Sequence, residues 1–390
     1  MSAGGRLRLV GPLLPSGEHR TLEIADGLVV ASTSSPAPAD DVAVLTGWLV
    51  PGLVDAHCHV GLGPAGAVDR DRTREQATAD RDAGALLLRD AGSPADTRWV
   101  DAEPDLPRLV RAGRHIARTR RYYRGFAAEV EPADLVAEVT RQAAAGDGWV
   151  KVVADWIDRD LGDLAPCWPD ETLRAAVQAA HAAGARLTVH VFGEDAMPGV
   201  LAAGVDGIEH GIGLSDDELA TVAERGIALV PTRVQIANFP VFAAQGEARF
   251  PRWAAHLRAL HARADDLVRR AHEAGVAIFG GTDAGGTNGH GLLPTEVAML
   301  AAAGMGGTAA LAAASWRARA WLGRDDGVSP GSSADLVVYP ADPRADPAVL
   351  QHPSAVVLRG RVVLRGGVVL PGGVVAEPVA GSGASGRIAG

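Results

Sequence analysis

From residue 49 to residue 323 the chain repeats one phrase eight times: a short apolar run, then an Ala-rich stretch with helical spacing. The runs are GLVDAHCHV (52–60), GALLLRDAG (84–92), PRLVRAG (107–113), GWVKVVAD (148–155), ARLTVHVFG (185–193), VDGIEHG (205–211), GIALVPT (226–232) and VAIFGGTDAG (276–285). Runs this short and this continuously apolar suit parallel strands buried on both faces. The stretches between carry helix signals. PADLVAEVTRQAAAG (132–146) starts after Pro and stops at Gly, and PDETLRAAVQAAHAAG (169–184) offers Asp170 as N-cap and Gly184 as stop. SDDELATVAERG (215–226) opens on a good cap, and HLRALHARADDLVRRAHEAG (256–275) reads as one long amphipathic helix. Eight such units predict an α/β fold, a (β/α)₈ TIM barrel over 49–323. A doubly wound open sheet is the alternative, but it has no need of eight strands.

Both ends of the chain have a different texture. RLRLV, TLEIADGLVV and DVAVLTGWLVP precede the barrel, with a Ser/Pro loop at 32–40. GVSPGSSADLVVYPADP and SAVVLRGRVVLRGGVVL follow it, the second reading as a hairpin through Arg359–Gly360–Arg361. Pairing the two ends predicts a small composite β-sandwich from 1–48 and 324–372, and the Gly/Ala/Ser-rich 373–390 reads as a flexible tail. The 390 residues fit a barrel-sized domain with a smaller companion. A net charge of −10 without a basic run argues against nucleic acid or an anionic membrane as partner. The apolar runs fall short of the roughly 20 residues of a membrane helix. The first residues lack a signal-peptide core, and two cysteines make no disulfide framework. The expectation is a cytoplasmic enzyme acting on a small molecule, with its oligomeric state, homo-oligomer included, left open.

Potential ligands gather at the ends of the predicted strands. His57 and His59 are two apart on the first and so share a face. His190, His210 and Asp283 end the fifth, sixth and eighth. The fourth carries Lys151, the single lysine beside 36 arginines. Arginine stays protonated, whereas a lysine can lose its proton and react. One buried histidine or one capping aspartate needs no function, but six metal-compatible residues at five strand ends have no simple packing explanation. Imidazole and carboxylate suit Zn²⁺ or a similar divalent ion.

In this order and setting the motifs PGLVDAHCHV, GWVKVV, GVDGIEHG and GTDAG, with PGSSADLVVY near the end, are similar to those of the amidohydrolase superfamily. The likeness is to its binuclear-metal type, in the imidazolonepropionase-like and prolidase-like branch. The resemblance implies that His57, His59 and Asp283 hold one metal ion and His190 and His210 the other. It implies that Lys151, carboxylated by CO₂, bridges the two. It further implies hydrolysis of an amide, a cyclic amide, an N-acyl amino acid or a dipeptide. Two ions about 3.5–4 Å apart lower the pKa of a bridging water, and Asp283 then carries the proton to the leaving nitrogen. The same scaffold leaves lactone or phosphotriester hydrolysis and deamination as rival readings, although a carbamate argues against the last.

Substrate residues are harder to read. Relatives often have a Gly-Gly-His-type segment after the third strand, where this chain has RTRRYYRG. Tyr122 and Tyr123 in that loop, His115 beside it, and Arg233 after the seventh strand are the candidates. Arg233 is expected to grip a substrate carboxylate, as arginine does with two parallel hydrogen bonds.

Overall fold

The computed structural model describes residues 6–34 and 42–365. The expected tail at 373–390 and the last strand residues before it lie outside the described residues. All eight apolar runs contribute to a parallel barrel. Its strands are Leu53–Cys58, Ala85–Asp90, Arg108–Arg111 continued by Ile116–Arg118, Trp149–Val153, Arg186–Val191, Gly207–His210, Ala228–Val230 and Ala277–Ile278. The third strand is split: Arg108–Arg111 pairs with the second strand, and Ile116–Arg118 pairs with the fourth. The eighth is regular for two residues only, yet it closes the barrel. Ala56 N–H donates to Gly280 O, Thr282 and Asp283 N–H both donate to His57 O, and His59 N–H donates to Ala284 O. Glycine is required there, because a Cβ on Gly281 would lie 2.5 Å from Val230 Cγ1 and 2.7 Å from the His57 nitrogen.

The helices follow the expected order with local differences. Asp170 is the first residue of the helix Asp170–Ala182, and Pro169 occupies the N-cap without a side-chain bond. Ser215 and Glu218 form a reciprocal capping box at Asp216–Glu224, as their spacing predicts. The long helix expected over 256–275 is two helices, Pro251–Ala262 and Ala264–Glu273, separated at Arg263. The first of these, with Phe239–Gly246 before it, is part of the insertion that follows the seventh strand. One apolar stretch is longer than the sequence reading allowed. Leu293–Ala313 runs helically for 21 residues at a mean hydropathy of 1.4, long and apolar enough by those measures to cross a membrane. Half of it is buried within the protein, and it breaks at Gly304, φ 112°.

Strands from the two chain ends share one sheet. Trp48–Pro51 pairs antiparallel with Leu336–Tyr339, which pairs with Ala355–Leu358 and, through it, Arg361–Arg365. Leu7–Leu13, Glu18–Ala25 and Leu28–Thr33 extend the other side. The expected sandwich is thus one continuous sheet rather than two separate layers. It curls so that Leu28 bridges Ser333, and it encloses Leu9, Leu22, Ile24, Leu336 and Val357 as its own core.

Candidate active site

Three of the residues at the strand ends have a left-handed backbone, unusual for side chains with a Cβ: His210 (φ 68°), Thr232 (φ 46°) and Asp283 (φ 53°). Such conformations cost energy and are held only where the surroundings over-determine them. Here the strands end, and the turned backbone belongs to side chains that gather over the barrel.

Two imidazoles have their orientation fixed from behind. His59 Nδ1 is 2.7 Å from Gly92 O, and His57 Nδ1 is 2.7 Å from a Glu209 carboxylate oxygen. Gly92 O can only accept, so His59 Nδ1 carries the proton there, while Glu209 lies against His57 Nδ1 as a charge contact. The two Nε2 atoms lie 3.3 Å apart, and each is 3.1 Å from Asp283 Oδ1. Two imidazole nitrogens and a carboxylate oxygen therefore converge on one small space, as ligand atoms do around a cation. His210 Nε2 and His190 Nδ1 form a second pair 3.0 Å apart, with His210 Nδ1 2.6 Å from Thr232 Oγ1. Lys151 Nζ is 3.3 Å from His57 Nε2. The structure thus brings together all six of the residues at the strand ends: a three-residue cluster at His57, His59 and Asp283, a histidine pair, and the lysine.

Burial sets the electrostatics. It pulls the Lys151 amine down to about 8 against the opposing pull of Glu209 and Asp283. Burial alone would raise Asp283, yet the imidazoles, His57 foremost, hold it well below the usual carboxylate range. Burial also pushes His190 well down, helped by His210. Beneath the site, Arg89 and Glu209 form a fully buried ion pair at 2.8 Å. Thr188 Oγ1 donates to the same Glu209 oxygen at 2.6 Å, and the Arg89 guanidinium lies over the Trp149 ring at 4.1 Å.

Glu209 and Arg89 were missed by the sequence reading, although both lie in the apolar runs. A buried acid inside VDGIEHG and a buried base inside GALLLRDAG were the available signal. Asp55 was missed too: its carboxylate accepts the N–H groups of His57 and Thr282 and the Thr282 hydroxyl, joining the first strand to the eighth. Asp155 accepts from the N–H groups of Phe192 and Gly193 and so fixes the loop after the fifth strand.

The substrate candidates separate. Tyr122 and Tyr123 line a pocket that reaches Asp283 and His190. The Tyr122 ring packs against Trp156 and His115 at centroid distances of 4.6 and 5.3 Å. His115 Nδ1 is 2.9 Å from Gly92 O, and its other nitrogen is buried without a hydrogen-bond partner. Arg233 does not line the pocket. Its Nε and Nη2 donate to Asp265 Oδ1 at 3.1 and 2.7 Å, and its backbone N–H donates to Glu296. An acid of the helix Ala264–Glu273 thus holds two of the guanidinium nitrogens, and Nη1 is buried without a hydrogen-bond partner.

Comparison with known proteins gives this geometry a context. The Amidohydrolase family profile matches residues 162–363. An uncharacterized protein of Mycobacterium tuberculosis is 53% identical over 357 residues, 91% of this chain and 95% of that one. A crystal structure of a Xaa-Pro dipeptidase with methionine bound in its active site superposes with a TM-score of 0.78 at 22% identity, covering 92% of this chain and 99% of the other. The structure of Aspergillus niger ochratoxinase superposes at 0.75 and 22% identity, covering 94% and 98%.

Proposed function

Since the chain belongs to the amidohydrolase family, we propose that it is a metal-dependent hydrolase of an amide-type C–N bond in a small molecule. The observation that carries this reading is the convergence of two imidazole nitrogens and a carboxylate oxygen, with His59 Nδ1 bonded to Gly92 O and Glu209 against His57 Nδ1 on the far side. The donor set fits a divalent ion such as Zn²⁺. In this reading His57, His59 and Asp283 hold one ion and His190 and His210 hold a second. Lys151 would serve both as a carbamate, its neutral amine adding to CO₂ with release of a proton, and burial favours that neutral form. When bound, two such ions activate water and polarise a carbonyl.

The chain's own groups do the rest. Glu209 and Gly92 O keep the two imidazoles in one orientation. Asp283, ionised and beside both rings, takes the proton of the attacking water and returns it to the leaving nitrogen. Tyr122 and Trp156 pack on each other and line the pocket beside His190 and Asp283. The two cysteines, buried and unpaired, suit a reducing cytoplasmic setting. The test is a panel of anilides, N-acyl amino acids and dipeptides, assayed with the chain stripped of metal and again after Zn²⁺ is restored. Turnover that disappears with a chelator and returns with the ion is expected. Turnover that a chelator leaves untouched contradicts the reading.

A further inference from the structure

The wall of the pocket is aromatic and uncharged. Besides the tyrosines it is built from Trp156 and Phe192 on the barrel side and from Phe239, Phe242, Trp253 and Leu257 on the two helices of the insertion. Asp283 is the one charged group among the described lining residues, and it is an acid. The arginines around the pocket are engaged elsewhere or do not line it. Arg233 is held by Asp265. Arg121 donates to Asp158 and to the carbonyls of Trp156 and Ala165. Arg118 donates to Cys167 O, and Arg120 and Arg124 are exposed.

Besides the tyrosine hydroxyls and indole N–H groups, an amide faces this wall. Gln235 lines the pocket with its orientation fixed by a relay: Asn238 Nδ2 donates to Asn288 Oδ1, and Asn288 Nδ2 donates to Gln235 Oε1, each at 2.9 Å. With its oxygen occupied, Gln235 offers N–H groups, which suit a neutral oxygen acceptor.

We propose that this pocket selects a substrate whose group beside the scissile bond is neutral and apolar, aromatic by preference, and that it rejects a free carboxylate at that end. The inference rests on the amide-hydrolase reading and names its substrate class. At the aromatic end of this pocket, away from the residues that would hold metal, a carboxylate would lose its hydration and meet no arginine or lysine among the described lining residues. A flat ring would instead stack among Trp156, Tyr122 and Trp253. Gln235 would add a hydrogen bond to an ether, ketone or ester oxygen carried by that ring.

The test compares 4-methylacetanilide with 4-acetamidobenzoate, which differ only in a methyl or carboxylate at the far end of the ring. On the zinc-loaded full chain, kcat/KM for the methyl compound should exceed that for the carboxylate at least tenfold. Phe242→Arg, at the half-buried rim, should shrink that ratio at least tenfold. Calorimetric titration with the non-hydrolysable ketones 1-(4-methylphenyl)propan-2-one and 4-(2-oxopropyl)benzoate reads the pocket without turnover. The neutral ketone should bind at least tenfold more tightly. Equal kcat/KM for the two anilides, or equal affinity for the two ketones, overturns the proposal and leaves the hydrolase reading intact. If the wider panel of amides shows no zinc-dependent turnover while the ketones keep their order, the hydrolase reading fails and the pocket assignment stands.

Discussion

Lys151 separates function from composition at the scale of single residues. A chain with 36 arginines and one lysine has placed that lysine 3.3 Å from His57 at the barrel mouth. Lys151→Arg keeps a cation but cannot carry a carbamate, so activity should be lost while the far-ultraviolet circular dichroism spectrum is unchanged. Near-normal turnover would refute the carbamate. Asp283→Asn should lower kcat by about 10²–10⁴, the scale of general acid–base catalysis, with metal content measured on the same sample. Glu209 has two tasks, orienting His57 and neutralising Arg89. Glu209→Gln should weaken metal affinity about 10–100-fold. It should also cost roughly 3–5 kcal/mol of stability by leaving a buried charge without its partner. A variant with both quantities unchanged would make Glu209 a bystander. Five of the six residues of the metal reading were legible in the sequence because they stand at or near the ends of apolar runs, and Lys151, inside its run, because it is the single lysine. Glu209, Arg89 and Asp55 were not, because a buried charge inside a run becomes intelligible only when the residue opposite it is known.

Among the secondary-structure elements, those that failed the sequence reading are the ones whose form depends on partners distant in the chain. The break at Arg263 lies beside Glu194, to which the Arg263 guanidinium is bonded. The same Glu194 also receives His256, which spans to Asp163 at 2.8 Å on one side and to Glu194 at 2.9 Å on the other. These two acids raise His256 to about 9, Glu194 first, against the effect of burial. The folded value lies above the unfolded value of about 6.5. The stabilisation is therefore complete below about pH 6.5 and is lost as pH rises through about 9. The helix Pro251–Ala262, which carries Trp253 and Leu257 over the pocket, should be held more firmly in acid. The melting-temperature gap between wild type and His256→Gln should be widest below pH 6.5 and close by about pH 10. The gap is worth on the order of 1 kcal/mol after solvent screening. A gap that does not change with pH would remove this anchor. Arg233→Met tests whether that arginine acts only through its ion pair with Asp265. Its partner Asp265 is 73% exposed, so the loss should be about 0.5–1 kcal/mol of stability with kcat/KM unchanged. A selective loss on carboxylate substrates would instead give Arg233 the role of gripping a substrate carboxylate.

Over the whole molecule, the periodic part was legible and the closure was not. Eight apolar runs count out the barrel, but the joint between its first and eighth strands runs through GGTD, which has too little strand character to be read. The terminal strands were expected to pair, yet nothing local tells a single curled sheet from a two-layered one. That depends on where Leu28 finds Ser333 across some 300 residues of chain. The barrel brings residues from positions 57 to 283 within a few ångströms of one another, and the claim that this convergence holds two metal ions is the centre of the account. Elemental analysis of the full chain, saturated with Zn²⁺ in bicarbonate and freed of loose metal, tests it most directly. The account predicts two tightly held ions per chain in the wild type and no more than one in Lys151→Arg. A wild-type chain that holds a single ion, or none, would contradict it.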